Sequence, residues 1–378
     1  MKVAFLLQGG QGLYGAERAT VSLIEGLVAA GVGVRVVRLC ETRLGASSAD
    51  AVALALRAPV ADIPVHGRFS REAIRAIRGE LAAWGADILH ATGYKADLHG
   101  GLAAEWGRRL PVVSTVHGWL FRTDPKERLF QHVDLWALRR MSRVIVLSRF
   151  YEHYLRVHGF TPLQLARIPT GLRAEAIATE ADGAALWESP DEPFTFGMLG
   201  RLSEEKDHAL FLKAAARMAK RRRESLVPWR LRIAGEGHLD GRIRRLAARL
   251  GLADRLDMPG RMDPGDFFRR THVLVQCSRV ENQPLGVMEA MAWARPCLAT
   301  QAGGLPELLD EGATGRVLPD RSPETLSRAM EHYLLHPAQA RADGRSAREK
   351  LLREFPVRDW IEDHIGLYDA LLAARPRH

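Results

Sequence analysis

The sequence predicts an α/β protein with two domains, each built on a parallel β-sheet. The 378 residues suffice for two hydrophobic cores of ordinary size. Short apolar runs alternate with amphipathic helical segments along most of the chain, and the runs themselves are continuously apolar. Continuous apolar strands separated by helices are typical of parallel sheets that helices cover on both faces.

The first half of the chain contains five predicted strands, at residues 3–7, 34–39, 87–90, 112–116 and 144–147. Helical segments lie between them, at residues 16–30, 71–84, 98–109 and 126–141. Gly31 follows the first helix and is a suitable C-cap. This order of elements predicts a Rossmann-like domain over residues 1–175.

A second, similar alternation fills the other half. Helical periodicity fades over residues 171–192, and residues 189–193 indicate a linker. Strands are predicted at residues 194–198, 231–234, 256–258, 273–275, 297–300 and 316–318, with helices at 207–222, 241–250, 264–270, 284–294 and 323–335. We therefore expect a second Rossmann-like domain over residues 190–355, a cleft between the two domains, and one last helix at residues 357–373.

The chain carries a formal net charge of +9, which predicts an anionic partner. Nucleotide phosphates and an acidic membrane surface both fit this charge, and Arg139, Arg140 and Arg143 of the first half could face such a membrane. Basic residues interleaved with aromatic ones, the signature of RNA-binding modules, are missing from the sequence. We therefore expect no nucleic acid partner.

Cysteine usage and apolar runs predict the compartment. Cys40, Cys277 and Cys297 lack the spacing of metal ligands and are too few for a disulfide framework. No apolar run approaches the ~18 residues of a membrane span, and the first residues indicate a strand, not a signal peptide. These features predict a cytoplasmic protein with, at most, peripheral contact at the inner face of the membrane.

Two glutamates mark the strand-to-helix turn and helix over residues 278–296. Glu281 lies in the turn and Glu289 in the helix. Open α/β sheets bind ligands at this kind of place, outside the carboxyl end of a strand. A sugar nucleotide would offer hydroxyl groups to both carboxylates. On this stretch alone, it is an equally good interpretation that Glu289 is an ordinary solvated helix residue and Glu281 a turn or capping acid.

Cationic and glycine residues follow other strands of the second domain. Arg201 and Lys206 lie in the turn after its first strand, where both can reach a diphosphate. Gly235 and Glu236 form a tight turn after the second strand, where the backbone can meet a nucleobase. The sequence has no Asp-x-Asp pair, the usual carboxylates for a metal on a nucleoside diphosphate. The phosphate charge would therefore be met by the two cations and by helix N-termini.

Two histidines follow strands of the first domain. His117 stands at the end of the strand over residues 112–116, and His90 occupies a similar position after residues 87–89. Either can serve as a hydrogen-bonding or acid–base group, although a single histidine at such a place more often has a structural role.

A glycine loop between the first strand and the first helix supports a second interpretation. Gly10, Gly12 and Gly15 match G-x-G-x-x-G, which lets backbone N–H groups approach a phosphate. Glu41 ends the next strand, where dinucleotide enzymes have a ribose-binding acid, although the separation exceeds the usual ~20 residues. An NAD(P)-dependent oxidoreductase therefore stays open as an alternative.

Taken together, these segments resemble the retaining glycosyltransferases of family 4, which have the GT-B fold. The resemblance covers nearly the whole chain and rests on five motifs in family order: YGAER, TVHGW, GRLSEEK, IAGEGH and SRVENQPLGVMEAMA. It implies two Rossmann-like domains facing a central cleft. It also implies that the C-terminal residues 356–378 cross back to complete the first domain.

The resemblance implies roles for the matching donor-site residues. Glu289 would accept from ribose hydroxyls, while Arg201 and Lys206 would neutralise the departing diphosphate. Glu281 and neighbouring backbone groups would hold the donor sugar; these neighbours are Asn282, Leu285 and Gly286. In the first domain, Gly15 would turn its N–H towards phosphate, and His117 would lie near the reacting carbon and the acceptor.

Retention in this family is commonly explained by a front-face mechanism, in which the departing phosphate oxygen helps to deprotonate the acceptor. The resemblance therefore implies neither an enzymatic nucleophile nor a cofactor or metal. Two positions depart from the family pattern: Pro284 replaces a common glycine and removes a backbone donor, and Ala294 replaces another. We interpret Pro284 as a change in donor-sugar contacts.

The sequence thus predicts a glycosyltransferase that uses a nucleotide-sugar donor and a glycan or lipid-linked acceptor, in polysaccharide, lipopolysaccharide or glycolipid assembly. A sugar-nucleotide epimerase on the same fold is the nearer enzymatic alternative, and the oxidoreductase is the more distant one. A degenerate domain that only binds a nucleotide or a partner is the non-enzymatic alternative.

Overall fold

The computed structural model describes residues 1–8, 15–41, 60–65, 67–119, 125–182, 193–221 and 227–374. The chain divides into two compact units. The first comprises Met1–Gly171 together with Val357–His378, and the second comprises Leu172–Pro356. Each unit contains a parallel sheet with helices, so the predicted α/β class with two Rossmann-like halves is confirmed.

The strands, in chain order, are β1 (Lys2–Gln8), β2 (Gly33–Glu41), β3 (Val60–Val65), β4 (Ile88–Thr92), β5 (Val112–Val116), β6 (Arg143–Val146), β7 (Leu165–Arg167), β8 (Phe194–Leu199), β9 (Trp229–Ala234), β10 (Leu256–Gly260), β11 (Val273–Gln276), β12 (Cys297–Thr300) and β13 (Gly315–Leu318).

The helices, in chain order, are α1 (Gly15–Ala29), α2 (Arg71–Trp84), α3 (Tyr94–Ala103), α4 (Pro125–Leu138), α5 (Arg149–Val157), α6 (Ala174–Asp182), α7 (His208–Arg221), α8 (Asp240–Arg249), α9 (Pro264–Phe268), α10 (Leu285–Ala292), α11 (Leu305–Leu308), α12 (Pro323–Leu335), α13 (Pro337–Glu354) and α14 (Val357–Ala373).

The sheet of the first unit has the strand order β3-β2-β1-β4-β5-β6-β7 among the described residues, and all neighbours are parallel. The strand order reverses at β1, so the switch point lies between β1 and β4. The strands are buried on both faces because helices cover them, which explains why they are continuously apolar. Phe5, Tyr151 and Tyr368 are fully buried in this unit.

The C-terminal helix α14 belongs to the first unit, as the family resemblance implied. It packs against α1. Its Tyr368 hydroxyl lies 2.6 Å from Nδ1 of His90 on β4, and both side chains are buried. This hydrogen bond ties the end of the chain to the centre of the first sheet.

The sheet of the second unit has the order β10-β9-β8-β11-β12-β13 among the described residues. Its switch point lies between β8 and β11, whose residues Phe196 and Val273 are partners in the parallel ladder. The core of this unit includes the fully buried rings of Phe196, Phe211 and Tyr333. The carboxyl ends of β8 and β11 therefore lie side by side.

Several elements were missing from the sequence-based prediction: β3, β7, α5, α6, α11 and α13. The helix α6 falls in the region where periodicity fades, and it packs against α10 and α13. Residues 172–175, which the sequence assigned to the first domain, consequently lie in the second unit. The proposed linker over residues 189–193 lies outside the described residues except for Pro193. Within the described part of the chain, no helix combines the length and apolarity needed to cross a bilayer.

Candidate functional site

The carboxyl ends of β8 and β11 bring Lys206 and Glu281 together. Lys206 Nζ donates a hydrogen bond to Glu281 Oε1 over 2.5 Å. The two side chains retain 20% and 12% of their exposure, so the pair lies at the surface of the sheet edge and is still reached by solvent. The sequence predicted both as site residues, and the structure places them in direct contact at the switch point, where open sheets bind ligands.

Two further donors hold the same carboxylate oxygen. Gln276 Nε2 and Ser278 Oγ lie 2.8 and 2.6 Å from Glu281 Oε1. With Lys206, three donors therefore converge on one atom and fix the orientation of the glutamate. Sequence reasoning missed Gln276 and Ser278, although Ser278 stands only three residues before Glu281 in the same turn and could have indicated a local side-chain contact.

The backbone of Glu281 is supported by the turn after β12. Gly303 has a φ of +54°, and a Cβ atom there would lie 1.8 Å from the carbonyl oxygen of Glu281. Gly304 N–H donates to that oxygen over 3.3 Å. Only glycine permits this approach, so the pair of glycines after β12 sets the position of the glutamate.

A second support, which the sequence did not reveal, connects three segments. Arg321 donates through Nη1 to the Ser278 carbonyl over 2.5 Å and through Nη2 to Asp207 Oδ2 over 2.7 Å. Asp207 follows Lys206 directly and adopts a φ of +52°. Arg321 thus joins the turn that carries Lys206 to the turn that carries Glu281. No local pattern predicts a bond between residues 114 positions apart.

The N-terminus of α10 lies at the same sheet edge. Its first residues are Leu285 and Gly286, and a Cβ atom on Gly286 would lie 3.9 Å from the carbonyl oxygen of Leu199, the last residue of β8. Backbone N–H groups in a first helical turn carry partial positive charge and bind anions. Pro284 is the N-cap of this helix, and its carbonyl accepts from the third helical residue over 3.0 Å.

Two polar residues near this helix are buried. Glu289 on α10 is 3% exposed, and Asn282 in the preceding turn is 4% exposed. The interpretation of Glu289 as an ordinary solvated helix residue is therefore wrong. A carboxylate buried on a helix whose neighbours are apolar needs hydrogen-bond donors, which agrees with a role in the site.

The turns after β8 and β9 pack on one another. Gly235 has a φ of +146°, and a Cβ atom there would lie 1.8 Å from the Gly200 carbonyl oxygen. Leu202 N–H donates to the Glu236 carbonyl over 2.9 Å. Arg201 projects from this double turn as an exposed side chain, and Glu236 is exposed as well. Both predicted residues therefore lie at the surface of the sheet edge.

In the first unit, His117 follows β5 and is half-buried. Desolvation by the surrounding protein lowers its pKa to about 4, so the imidazole is neutral at pH 7. Beside it lies a cavity of ≈ 10 Å³, whose lining includes His90 and His364. This volume is of the order of one water molecule and is too small for a substrate.

His90 is a core residue. Its Nε2 lies 2.8 Å from Thr115 Oγ1, and its Nδ1 is hydrogen-bonded to the Tyr368 hydroxyl. The structural interpretation of His90 is thus the correct one.

The glycine loop lies mostly outside the described residues, as Gly10 and Gly12 do. Gly15 is the first residue of α1 and is exposed. Glu41 ends β2, as the sequence predicted. Among the described residues, no group of three or more histidine, cysteine, aspartate or glutamate side chains has the arrangement of a metal site.

Two family models match the chain and together span most of it. The model described as Glycosyltransferase Family 4 matches residues 14–176, and that of the Glycosyl transferases group 1 matches residues 185–350. The chain belongs to glycosyltransferase family 4.

Relatives of this family 4 glycosyltransferase are about a quarter identical to it over the aligned residues. The lipopolysaccharide core biosynthesis mannosyltransferase LpcC of Rhizobium leguminosarum bv. viciae is 28% identical over 262 residues, which are 67% of this chain and 71% of the relative. A UDP-Gal:alpha-D-GlcNAc-diphosphoundecaprenol alpha-1,3-galactosyltransferase of Escherichia coli is 26% identical over 58% of each chain. The second match spans little more than half of the relative's length.

Solved structures show the same fold along the whole length. HepE of Anabaena, in complex with UDP, superposes with a TM-score of 0.81 at 18% identity, over 98% of this chain and 100% of HepE. Sucrose-phosphate synthase of Thermosynechococcus elongatus gives 0.81 at 22% identity, over 99% and 100%. At this level of identity the likeness establishes that the family 4 glycosyltransferase has the GT-B fold.

Proposed function

We propose that this family 4 glycosyltransferase transfers a sugar, with retention of configuration, from a nucleoside-diphosphate-sugar to a glycan or lipid-linked acceptor in polysaccharide, lipopolysaccharide or glycolipid assembly. The observation that carries the proposal is the contact between Lys206 and Glu281 beside the N-terminus of α10. A cation, a hydroxyl-accepting carboxylate and a helix N-terminus at one switch point match the chemistry of a sugar diphosphate. The activities of the two relatives, a mannosyl and a galactosyl transfer, support the proposal.

The diphosphate is bound by positive charge in this scheme. Lys206 has three N–H donors, of which one is directed to Glu281, so two remain to meet phosphate oxygens. Arg201 adds a planar pair of donors from the neighbouring turn. The first N–H groups of α10, at Leu285 and Gly286, supply partial charge without a side chain. Gly15 at the start of α1 would offer a further backbone N–H.

Hydroxyl groups of the donor are accepted by carboxylates. Glu289 would bind the ribose hydroxyls, and Glu281, with the buried Asn282, would bind those of the sugar. Because Glu281 is already oriented by three donors, its second oxygen can be presented to the ligand with little loss of conformational freedom. The turn at Gly235 and Glu236 would contact the nucleobase.

The transfer breaks the bond between the anomeric carbon and the diphosphate oxygen, and it forms a bond from the acceptor oxygen to the same face of that carbon. The acceptor proton passes to the departing phosphate oxygen, so the products are a glycoside and a nucleoside diphosphate. Lys206 and Arg201 stabilise the charge that develops on the leaving group. His117 is neutral at pH 7 and can hydrogen-bond the acceptor without adding charge.

A panel of UDP-, GDP- and ADP-sugars tests the proposal through release of the nucleotide in the presence of acceptor glycolipids. We expect release with at least one donor and its loss in Glu289→Gln and Arg201→Ala. Arg242→Ala, an exposed change on α8, is the matched control and should behave as wild type. Unaltered release in both site variants would contradict the site. A donor converted to its epimer without acceptor would favour the epimerase alternative, and tight nicotinamide binding would favour the oxidoreductase.

We also expect that transfer needs no metal ion, because Lys206, Arg201 and the N-terminus of α10 together would meet the charge of the diphosphate. Activity should therefore persist in excess EDTA. A strict requirement for Mg²⁺ or Mn²⁺ would contradict this part of the proposal and leave the donor site itself untouched.

We further propose that the enzyme acts in the cytoplasm and touches an acidic membrane through one surface of its first unit. Trp136 is 42% exposed, and the guanidinium of Arg140 lies 3.9 Å from its ring centre. Arg139 donates to the His158 carbonyl, which follows α5 directly. Exposed aliphatic side chains lie on either side of it, Val157 at the end of α5 and Leu163 in the loop before β7. Tryptophan, arginine and exposed aliphatic residues in one place are the features of interfacial binding.

Sedimentation with vesicles checks the membrane contact. Binding to vesicles that contain phosphatidylglycerol should exceed binding to neutral vesicles and should fall when Val157 and Leu163 are both replaced by aspartate. Leu335→Asp, an exposed leucine at the end of α12 in the second unit, is the control. Equal binding by all variants would remove this surface from the proposal. Arg143 is half-buried and donates to the Ser142 carbonyl, so we expect little from its replacement.

A further inference from the structure

Two aspartates form a buried contact in the first unit. Asp97 on α3 is 2% exposed and Asp134 on α4 is 6% exposed. Their carboxyl groups are within hydrogen-bonding reach of one another. Each has a fully buried oxygen, Oδ1, to which no group of the described chain donates. Buried acceptors without a donor are rare and costly, so the pair requires an explanation.

One proton shared by the two carboxyl groups would provide the hydrogen bond that their buried oxygens lack. Burial and the neighbouring carboxylate raise the pKa of Asp97 well above its usual range, and burial raises the pKa of Asp134 to about 6. A single proton held by Asp97 would let its hydroxyl donate to an ionised Asp134. Two like charges this close in a desolvated site could not both persist.

The ionised member of the pair holds a tryptophan. Trp119 Nε1 donates to Asp134 Oδ2 over 2.8 Å, and the Trp119 backbone N–H donates to the Tyr151 hydroxyl over 3.1 Å. The indole also packs against the rings of Tyr151 and Tyr154, with centroids 5.7 and 5.6 Å away. Trp119 stands two residues after His117, so these bonds fix the segment that carries the histidine.

Other titratable groups on the packed elements have partners of their own. On α3, Lys95 donates to the Gly67 carbonyl and His99 lies against the Lys95 carbonyl. On α5, the Tyr154 hydroxyl accepts from Gln131.

Other titratable or charged side chains on α2 and α4, after β3 and after β5 include Arg68, Glu72, Arg78, His117 and His132.

Only Asp134 acts by its charge on Asp97, so the titration belongs to the pair itself. Ser114 on β5 lies close enough to favour the ionised form of Asp97, and its hydroxyl is otherwise unpartnered.

We propose that Asp97 and Asp134 share one proton and act as a positioning pair, which anchors the Trp119 indole and thereby holds His117 for the acceptor. The positioning role rests on the proposed glycosyltransferase function, whereas the shared proton does not. Neither aspartate touches the substrate in this scheme.

Infrared spectroscopy in D₂O at pH 8 tests the shared proton without any turnover. We expect a carbonyl band of a buried protonated carboxylic acid in the wild type and its loss in Asp97→Asn. Asp363→Asn, on the exposed face of α14, is the control and should keep the band. Absence of the band in the wild type, or its persistence in Asp97→Asn, would show that Asp97 and Asp134 do not share a proton.

Kinetics then test the positioning role. Asp134→Leu removes the acceptor of the indole N–H, and we expect kcat/KM for the acceptor to fall about ten- to hundredfold while nucleoside diphosphate affinity stays unchanged. Asp134→Asn keeps an oxygen for Trp119 and should restore most of the activity. Trp119→Phe removes the donor and keeps an aromatic ring, so it serves if Asp134→Leu does not fold.

Wild-type acceptor kinetics in both Asp134→Leu and Trp119→Phe would overturn the positioning role. If the wild type itself transfers no sugar from any donor, the proposed function fails, and the infrared result still decides whether the proton is shared.

Discussion

Two charged side chains meet at the carboxyl ends of the second sheet, where water still reaches them. In the first unit, by contrast, burial favours the neutral forms of the titratable side chains. Lys206 and Glu281 form an ion pair whose members keep 20% and 12% exposure. Burial and the neighbouring Asp134 raise the pKa of Asp97 well above its usual range, and burial lowers the pKa of His117 to about 4, which keeps it neutral at pH 7. The difference indicates separate tasks: a charged diphosphate requires available charge, whereas an acceptor hydroxyl requires oriented and neutral hydrogen-bonding groups.

The largest expected effect comes from removing the positive charge of Lys206 in the second unit. Lys206→Met should lower the rate of sugar transfer about 10²- to 10³-fold, because a preorganised donor to the leaving group is lost. Lys213→Met, an exposed lysine on α7, is the control. Steady-state measurement of kcat for both variants tests this prediction. A Lys206→Met enzyme as fast as the control would show that the charge of Lys206 does not contribute to catalysis.

Acid should lower the unfolding free energy of the protein through the buried, neutral histidines of the first unit. Burial lowers the pKa of His364 to about 4, as it does for His117. An unfolded chain takes up these protons first as pH falls, so stability is present above pH 6.5 and is lost towards pH 4. The difference from the usual value corresponds to about 3 kcal/mol for a fully buried histidine such as His364.

Urea unfolding at several pH values measures this loss. His364→Gln should unfold with a weaker dependence on pH than the wild type between pH 6.5 and 4. An identical slope in the two proteins would show that His364 takes up its proton while the protein stays folded.

The hydrogen bond between Tyr368 and His90 tests the same comparison, because it is neutral, buried and belongs to the first unit alone. Tyr368→Phe leaves a histidine nitrogen without its partner and should cost about 1–3 kcal/mol of unfolding free energy. Donor affinity should not change, since the second unit is untouched. A loss of donor affinity as large as the loss of stability would argue against separate tasks for the two units.

The smallest effect concerns the helix that carries Glu289. Ala294, just after α10, has a φ of +52°, and Arg295 N–H bonds back to the Ala290 carbonyl over 2.8 Å. The left-handed conformation costs a residue with a Cβ atom about 1 kcal/mol, so Ala294→Gly should stabilise the protein by up to this amount. Thermal unfolding measures it, and a destabilised variant would show that packing of the methyl group outweighs the backbone.

Local patterns predicted a large part of the fold and the main site residues. The strand β5 and the helices α2, α12 and α14 have the predicted boundaries, because continuous apolar runs and helical periodicity mark them. Lys206 and Glu281 were found because each lies in the turn between a strand and the next helix. The strand order then brings them together, and strand order is a general rule of open sheets.

The contacts that hold this site were beyond local reasoning. Arg321 is 114 positions from Asp207 and follows a short strand with no motif around it. The helix α13 is largely polar, so its periodicity is weak, and its burial against α10 is a tertiary effect. No local pattern marks Asp97 or Asp134 as a buried acid, and only the packing of α3 on α4 makes them a buried pair.

Calorimetric titration with nucleoside diphosphates tests the central claim most directly, since it asks whether the second unit binds the donor through the site around α10. UDP, GDP and ADP should be titrated into the wild type, Glu289→Gln and Arg242→Ala. We predict that one nucleotide binds the wild type and Arg242→Ala equally and binds Glu289→Gln at least about tenfold more weakly, as expected for loss of a charged hydrogen-bond acceptor. Equal affinity in all three proteins would contradict the account.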